Sequence, residues 1–133
     1  MILVDTNVLL DVLGDDEQWA EWSQQQLEGA RLTQRLAINA VIYSELSIAF
    51  ATIEELENVI VEAGLFVETI PHAALFLAGK AFLDYRRSKG RKHGVLPDFY
   101  IGSHAAVMDW PLLTRDARLY RRYFPTLQLI SPD

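Results

Sequence analysis

The sequence predicts a single α/β domain, residues 1–133, built on a mostly parallel sheet of about four or five strands. Three observations predict it. Short apolar runs alternate with longer stretches of helical period along the chain. The runs are continuously apolar, as in Ile2-Leu3-Val4, which suits strands buried on both faces. No linker, repeat or low-complexity tract divides the 133 residues, a length that makes one ordinary domain with a real core.

Taken in order, Ile2-Leu3-Val4 is the first strand and ends at Asp5-Thr6-Asn7, residue types that cap helices. Val8 to Leu13 continue as a short helix that Gly14 stops. Asp15 or Asp16 caps a second helix with Trp19, Trp22 and Leu27 on its inner side. Leu36-Ala37-Ile38 is the second strand, followed by a helix over 40–51. Thr52, with Glu55 three residues on, opens a helix that Gly64 ends. Residues 66–70 read as a third strand. Pro71 starts a long helix striped by Ala74, Leu77, Ala78, Ala81, Phe82 and Tyr85. Ser88 to Pro97, with two glycines, a proline and three bases, is a loop. Asp98 caps a helix running to about Asp109, 112–114 is a strand, Asp116 caps a short helix, and 127–130 is the last strand.

Half the residues are apolar and 23% are charged, as in soluble globular proteins. No apolar run approaches the ~20 residues of a membrane span. The start lacks a signal peptide's basic region and cleavage site. Without cysteine there is neither a disulfide framework nor a thiolate metal site, so the expected address is cytoplasmic. The net charge of −6 is unevenly spread. Residues 1–70 carry 13 acids and 2 bases, while 71–133 carry 5 acids and 10 bases. Nine of the 12 bases fall in two runs: Arg86, Arg87, Lys89, Arg91 and Lys92, then Arg115, Arg118, Arg121 and Arg122. They are either a solvated surface or a basic rim that holds phosphates beside an acidic centre.

Four acids form that candidate centre. Sites in open α/β sheets lie at the carboxyl ends of strands. Asp5 follows the first strand, Asp116 follows the strand at 112–114, Asp98 heads a helix after a loop, and Glu45 lies at the edge of a helix's buried stripe. Each has a plain alternative as a cap or an exposed helix residue. Grouped carboxylates, however, repel unless protons or cations relieve them. Mg²⁺ takes oxygen ligands, one or two carboxylates with waters and substrate phosphate. Asp11, Asp15, Asp16, Asp84 and Asp109 lack this setting and read as surface or capping residues.

On these residues the chain resembles the PIN-domain family, and within it the VapC-type toxins of toxin–antitoxin pairs. The resemblance spans essentially the whole chain. It rests on residues 2–11 around Asp5-Thr6-Asn7, on Ile42-Tyr43-Ser44-Glu45-Leu46, on Leu96-Pro97-Asp98 through Ala105, and on Leu113-Thr114-Arg115-Asp116. It implies a three-layer α/β/α fold and an endoribonuclease using Mg²⁺ or Mn²⁺. It implies that Asp5, Asp98 and Asp116 bind the metal directly or through water, and that Glu45 completes the acidic pocket and helps orient metal-bound water. Thr6 and Thr114 fall on hydroxyl positions able to meet a carboxylate, a water or a phosphate, and Asn7 on a small or polar position. The expected partners are structured RNA such as tRNA, a cognate antitoxin and a second copy of the chain, with no membrane. Arg115, Arg86 and Arg87 are expected to hold the RNA backbone. Ser103-His104 departs from relatives, which commonly have small residues there. His104 stands about 240° round the helix from Asp98, so no catalytic role is assigned to it, nor to His72. His93, in the basic loop, is the histidine best placed to touch RNA.

Rival readings meet specific obstacles. An aspartyl phosphatase needs an Asp two residues after Asp5, where Asn7 stands. A phosphoacceptor domain needs a late lysine, and every base after Lys92 is an arginine. Neither glycine-rich nucleotide motif occurs. A non-catalytic PIN-like binding module, or a PIN-like nuclease outside any toxin–antitoxin pair, is the alternative that stays open.

Overall fold

β1 (Ile2–Val4) runs between two parallel neighbours and sets the topology. The structure, a computed structural model, describes residues 1–88 and 94–132. On one side of β1 lies β2 (Leu36–Ile38), with Leu36 opposite Ile2. On the other lies β4 (Leu112–Leu113), with Leu112 opposite Leu3. β3 (Leu65–Val67) pairs with β2 and β5 (Leu129–Ile130) with β4, giving a five-stranded order of β3-β2-β1-β4-β5, parallel throughout. Every residue of β1, β2 and β4 is buried. Successive strand side chains point to opposite faces, so both faces of the sheet are covered, as the three-layer expectation requires.

Seven helices flank the sheet among the described residues: α1 (Thr6–Leu13), α2 (Ala20–Arg31), α3 (Ala40–Ser47), α4 (Ile53–Glu62), α5 (His72–Arg87), α6 (Leu96–Met108) and α7 (Arg118–Tyr123). Their starts follow local chemistry. Asp5 accepts the Thr6 N–H at 2.8 Å, Asn39 accepts that of Ile42 at 3.0 Å, and Thr52 accepts that of Glu55 at 3.3 Å. Gly14 closes α1, its N–H on the Leu10 carbonyl.

Several expected boundaries move. The third strand stops at Val67, short of residue 70, because β2 ends at Ile38, where Asn39 turns the chain into α3. Glu68 N–H takes the last carbonyl, that of Ile38, at 2.8 Å. The last strand shrinks to Leu129–Ile130 for a similar reason: its partner β4 is only two residues long. α3 ends at Ser47, earlier than residue 51, and the Ser47 hydroxyl folds back onto the Ser44 carbonyl at 2.6 Å. Asp98 is not the cap of α6. That helix begins two residues earlier with Pro97 in its first turn, and Asp98 sits inside the turn. Asp116 is one residue short of the cap position of α7, which Ala117 holds, although its carboxylate still reaches the Arg118 N–H at 3.4 Å. Neither Asp15 nor Asp16 caps α2; Asp16 instead accepts the N–H groups of Gln18 and Trp19 in a turn ahead of it.

The core centres on the sheet and on Phe99 of α6, whose ring meets those of Phe82, Tyr85, Tyr123 and Phe124 at 5.3–6.1 Å. Gly102 lets α7 come close. A Cβ there would lie 2.6 Å from the Phe124 ring and 3.0 Å from that of Tyr120.

Candidate functional site

The chain leaves β1 to build β2 and β3 on one side, then returns to lay β4 and β5 on the other. The order reverses between β1 and β4, and crevices in parallel sheets open at the carboxyl ends of strands at such a point. Asp5 is the first residue after β1 and Thr114 the first after β4. The two meet there: the Thr114 hydroxyl donates to Asp5 Oδ2 at 2.8 Å.

Asp5 is buried and held by three donors. Thr114 and the Tyr120 hydroxyl, the latter at 2.9 Å, both donate to Oδ2, and the Thr6 N–H donates to Oδ1. Burial pushes its carboxyl up to about 6. The hydrogen bonds from Thr114, Tyr120 and Thr6 pull the other way, and the charge of Glu45 adds to the rise. Thr6 also serves the second acid, its hydroxyl donating to Glu45 Oε1 at 2.6 Å. The hydroxyls of Thr6 and Thr114 therefore both meet carboxylates, one of the uses expected of them.

Tyr120 was not legible as a site residue. It sits in a basic stretch that reads as surface, yet its side chain is buried. Burial first, then the charges of Asp5, Asp98 and Glu45, push its hydroxyl well above the usual phenol range. Three of the four expected acids thus act on one buried phenol. The fourth, Asp116, lies at the rim, half exposed, with Arg118 Nε at 3.4 Å from its carboxylate. Its backbone N–H donates to the Thr114 hydroxyl at 3.2 Å.

Among the described residues, no three acids or histidines stand close enough to cage a metal ion by themselves. The donor chemistry still fits a hard divalent cation. The set is all oxygen, and Mg²⁺ commonly takes one or two carboxylates and completes its shell with water and phosphate. Asp5 and Glu45 have no ion-pairing base among the described residues.

Asp11 corrects the reading of the surface. Asp11 is buried, 3% exposed, and grips the Arg115 guanidinium through both oxygens, at 2.8 and 3.1 Å. It also accepts from the Ser23 hydroxyl at 2.8 Å, and Arg115 lies over the Trp19 ring at 5.6 Å. Asn7 completes the clamp, its carbonyl oxygen accepting the Arg115 N–H at 3.2 Å. This network ties the turn after β4 to α1 and α2. The pattern missed it because Asp11 and Arg115 are 104 residues apart. Arg86 and Arg87 are exposed at the end of α5. Lys89, Arg91, Lys92 and His93 lie outside the described residues.

His104 is fully buried in α6, tilted against Trp110, with Nδ1 3.1 Å from Asn39 Nδ2. Burial lowers its pKa. The contact ties α6, which carries Asp98, to the cap of α3, which carries Glu45.

Comparisons with known proteins agree with this architecture. A family model described as the PIN domain matches residues 2–125. No curated protein matches the sequence. Among solved structures, VapBC2 from Rickettsia felis, bound to a DNA fragment from its promoter, is similar over 100% of both chains, with 19% identity and a TM-score of 0.76. VapBC-1 from nontypeable Haemophilus influenzae is similar over 98% of both chains, with 18% identity and a TM-score of 0.71. A toxin–antitoxin complex from Klebsiella pneumoniae covers 100% of this chain and 98% of its own, with 19% identity and a TM-score of 0.68. At these identities the likeness is one of fold.

Proposed function

The chain belongs to the PIN-domain family, and from that premise we propose that it is a Mg²⁺- or Mn²⁺-dependent endoribonuclease, the toxin of a VapBC-type pair acting on structured RNA such as tRNA. The observation that carries the reading is the Asp5 carboxylate, buried at the reversal of strand order and sharing its surroundings with Glu45 and Asp98. Asp5, Asp98 and Asp116 would hold the ion, directly or through water, and when bound it supplies charge stabilisation at the phosphate and eases ionisation of water.

The remaining work falls to side chains. Thr114 and Thr6 orient Asp5, and Thr6 also aims Glu45. Glu45, half-buried on α3, accepts a proton from the attacking water during in-line hydrolysis of the phosphodiester. Arg86, Arg87 and the exposed part of Arg115 are the bases proposed to meet the RNA backbone. An antitoxin partner is proposed because the structural neighbours named above are toxin–antitoxin assemblies. A homodimer and a cytoplasmic address complete the proposal. No helix among the described residues is long and apolar enough to cross a membrane.

The test is incubation of purified protein with total RNA, with Mg²⁺ or with chelator, beside Asp98→Asn. Cleavage is expected only in the wild type with Mg²⁺. Full activity of a folded Asp98→Asn protein would falsify the assignment. RNA bound but never cut would favour a non-catalytic module.

A further inference from the structure

Tyr120 holds Asp5 in a way that bears on which cation the site accepts. A carboxylate offers about four lone-pair positions, two on each oxygen. Thr114 and Tyr120 occupy both on Oδ2, at 2.8 and 2.9 Å, and Thr6 N–H occupies one on Oδ1. The Thr114 hydroxyl is itself directed. It accepts from Asp116 N–H at 3.2 Å and from Asn7 Nδ2 at 3.4 Å, and its one proton goes to Asp5 at 2.8 Å, a shorter contact than the 3.2 Å to the Asp116 carbonyl. Gly102 makes the arrangement possible, since a side chain there would strike the Tyr120 and Phe124 rings.

Resting on the metal-dependent reading above, we propose that Tyr120 is a positioning residue for cation selectivity: by filling the second lone pair of Oδ2 it leaves Asp5 a single open position, on Oδ1. Asp5 then meets a cation through one oxygen. That suits Mg²⁺, which requires near-ideal octahedral geometry and few carboxylates. Ca²⁺ takes six to eight ligands and accepts carboxylates through both oxygens, so the same hydroxyl disfavours it. Removing the phenol oxygen reopens Oδ2 and permits the two-oxygen mode.

The experiment is calorimetric titration of metal-free protein with Mg²⁺ and, separately, with Ca²⁺, for wild type, Tyr120→Phe and Thr114→Ser. Tyr120→Phe is expected to lower the Mg²⁺-to-Ca²⁺ affinity ratio about tenfold, the scale of one charge-assisted hydrogen bond. Thr114→Ser keeps a hydroxyl on the same oxygen and is expected to keep the ratio. A merely structural loss weakens both cations together and leaves the ratio alone. An unchanged ratio in cooperatively folding Tyr120→Phe overturns the role of Tyr120 while leaving the nuclease reading standing. Absence of any cation binding by the wild type overturns the metal reading itself, and this inference with it. If Tyr120→Phe does not fold, Tyr120→Met, which fills much of the ring's space without a hydroxyl, carries the same two outcomes.

Discussion

At the scale of single residues, the site is costly to the fold. Asp5 has its carboxyl raised to about 6 from 3.8, so the folded protein binds that proton more tightly than the unfolded chain. This contribution is complete below pH 3.8 and is lost as the pH rises through about 6. Asp5→Asn is therefore expected to stabilise the metal-free protein at pH 7.5 by up to about 3 kcal/mol, and to give no gain below about pH 4. Urea unfolding in chelator at both pH values measures it, and a gain that is the same at both would contradict the charge explanation. Among the candidate acids, Asp5 and Asp116 stand out in the sequence because they follow strands, Asp98 because it heads a helix after a loop, and Glu45 because it edges a helix stripe. Tyr120 and Asp11 were not, because their partners are far away in the chain. One signal was available for Tyr120: Tyr120, Tyr123 and Phe124 recur at helical spacing directly after Asp116.

At the scale of elements, the placement of α7 depends on the absence of one methyl group. Gly102→Ala gains helix propensity of about 1 kcal/mol but forces Phe124 and Tyr120 to shift, an overpacking cost of about 1–3 kcal/mol. Net destabilisation is expected. Gly29 and Gly79 provide the control. A Cβ at either meets nothing within 4 Å, so Gly29→Ala in α2 and Gly79→Ala in α5 are expected to stabilise by up to about 1 kcal/mol. Thermal unfolding of the three variants decides it, and a Gly102→Ala protein as stable as the other two would show that α7 has room to spare. Element identity was readable wherever a cap, a stop or a continuous apolar run marks it, as at Thr52, Gly14 and Ile2-Leu3-Val4. Strand ends were not, because a parallel strand stops where its neighbour stops: β3 at Val67 answers to β2 at Ile38.

At the scale of the whole molecule, the separation of charge along the chain has a measurable consequence. If Arg86 and Arg87 meet phosphates, replacing both with Gln reduces the slope of log affinity against log salt by about 0.7–0.9 per lost contact, the range between single-stranded and duplex nucleic acid. Filter binding of RNA from low to high salt tests this, and an unaltered slope would remove the pair from the interface. The alternation of strand and helix predicted a parallel sheet, but the order β3-β2-β1-β4-β5 was beyond it, since pairing partners are chosen by packing across the whole domain. That order also governs timing. Asp5 is translated 109 residues ahead of Thr114 and 115 ahead of Tyr120, whose hydroxyls grip it. A nascent chain paused between them holds Asp5 and Glu45 without that clasp, so the surroundings of the Asp5 carboxylate are completed only once β4 and α7 have been made.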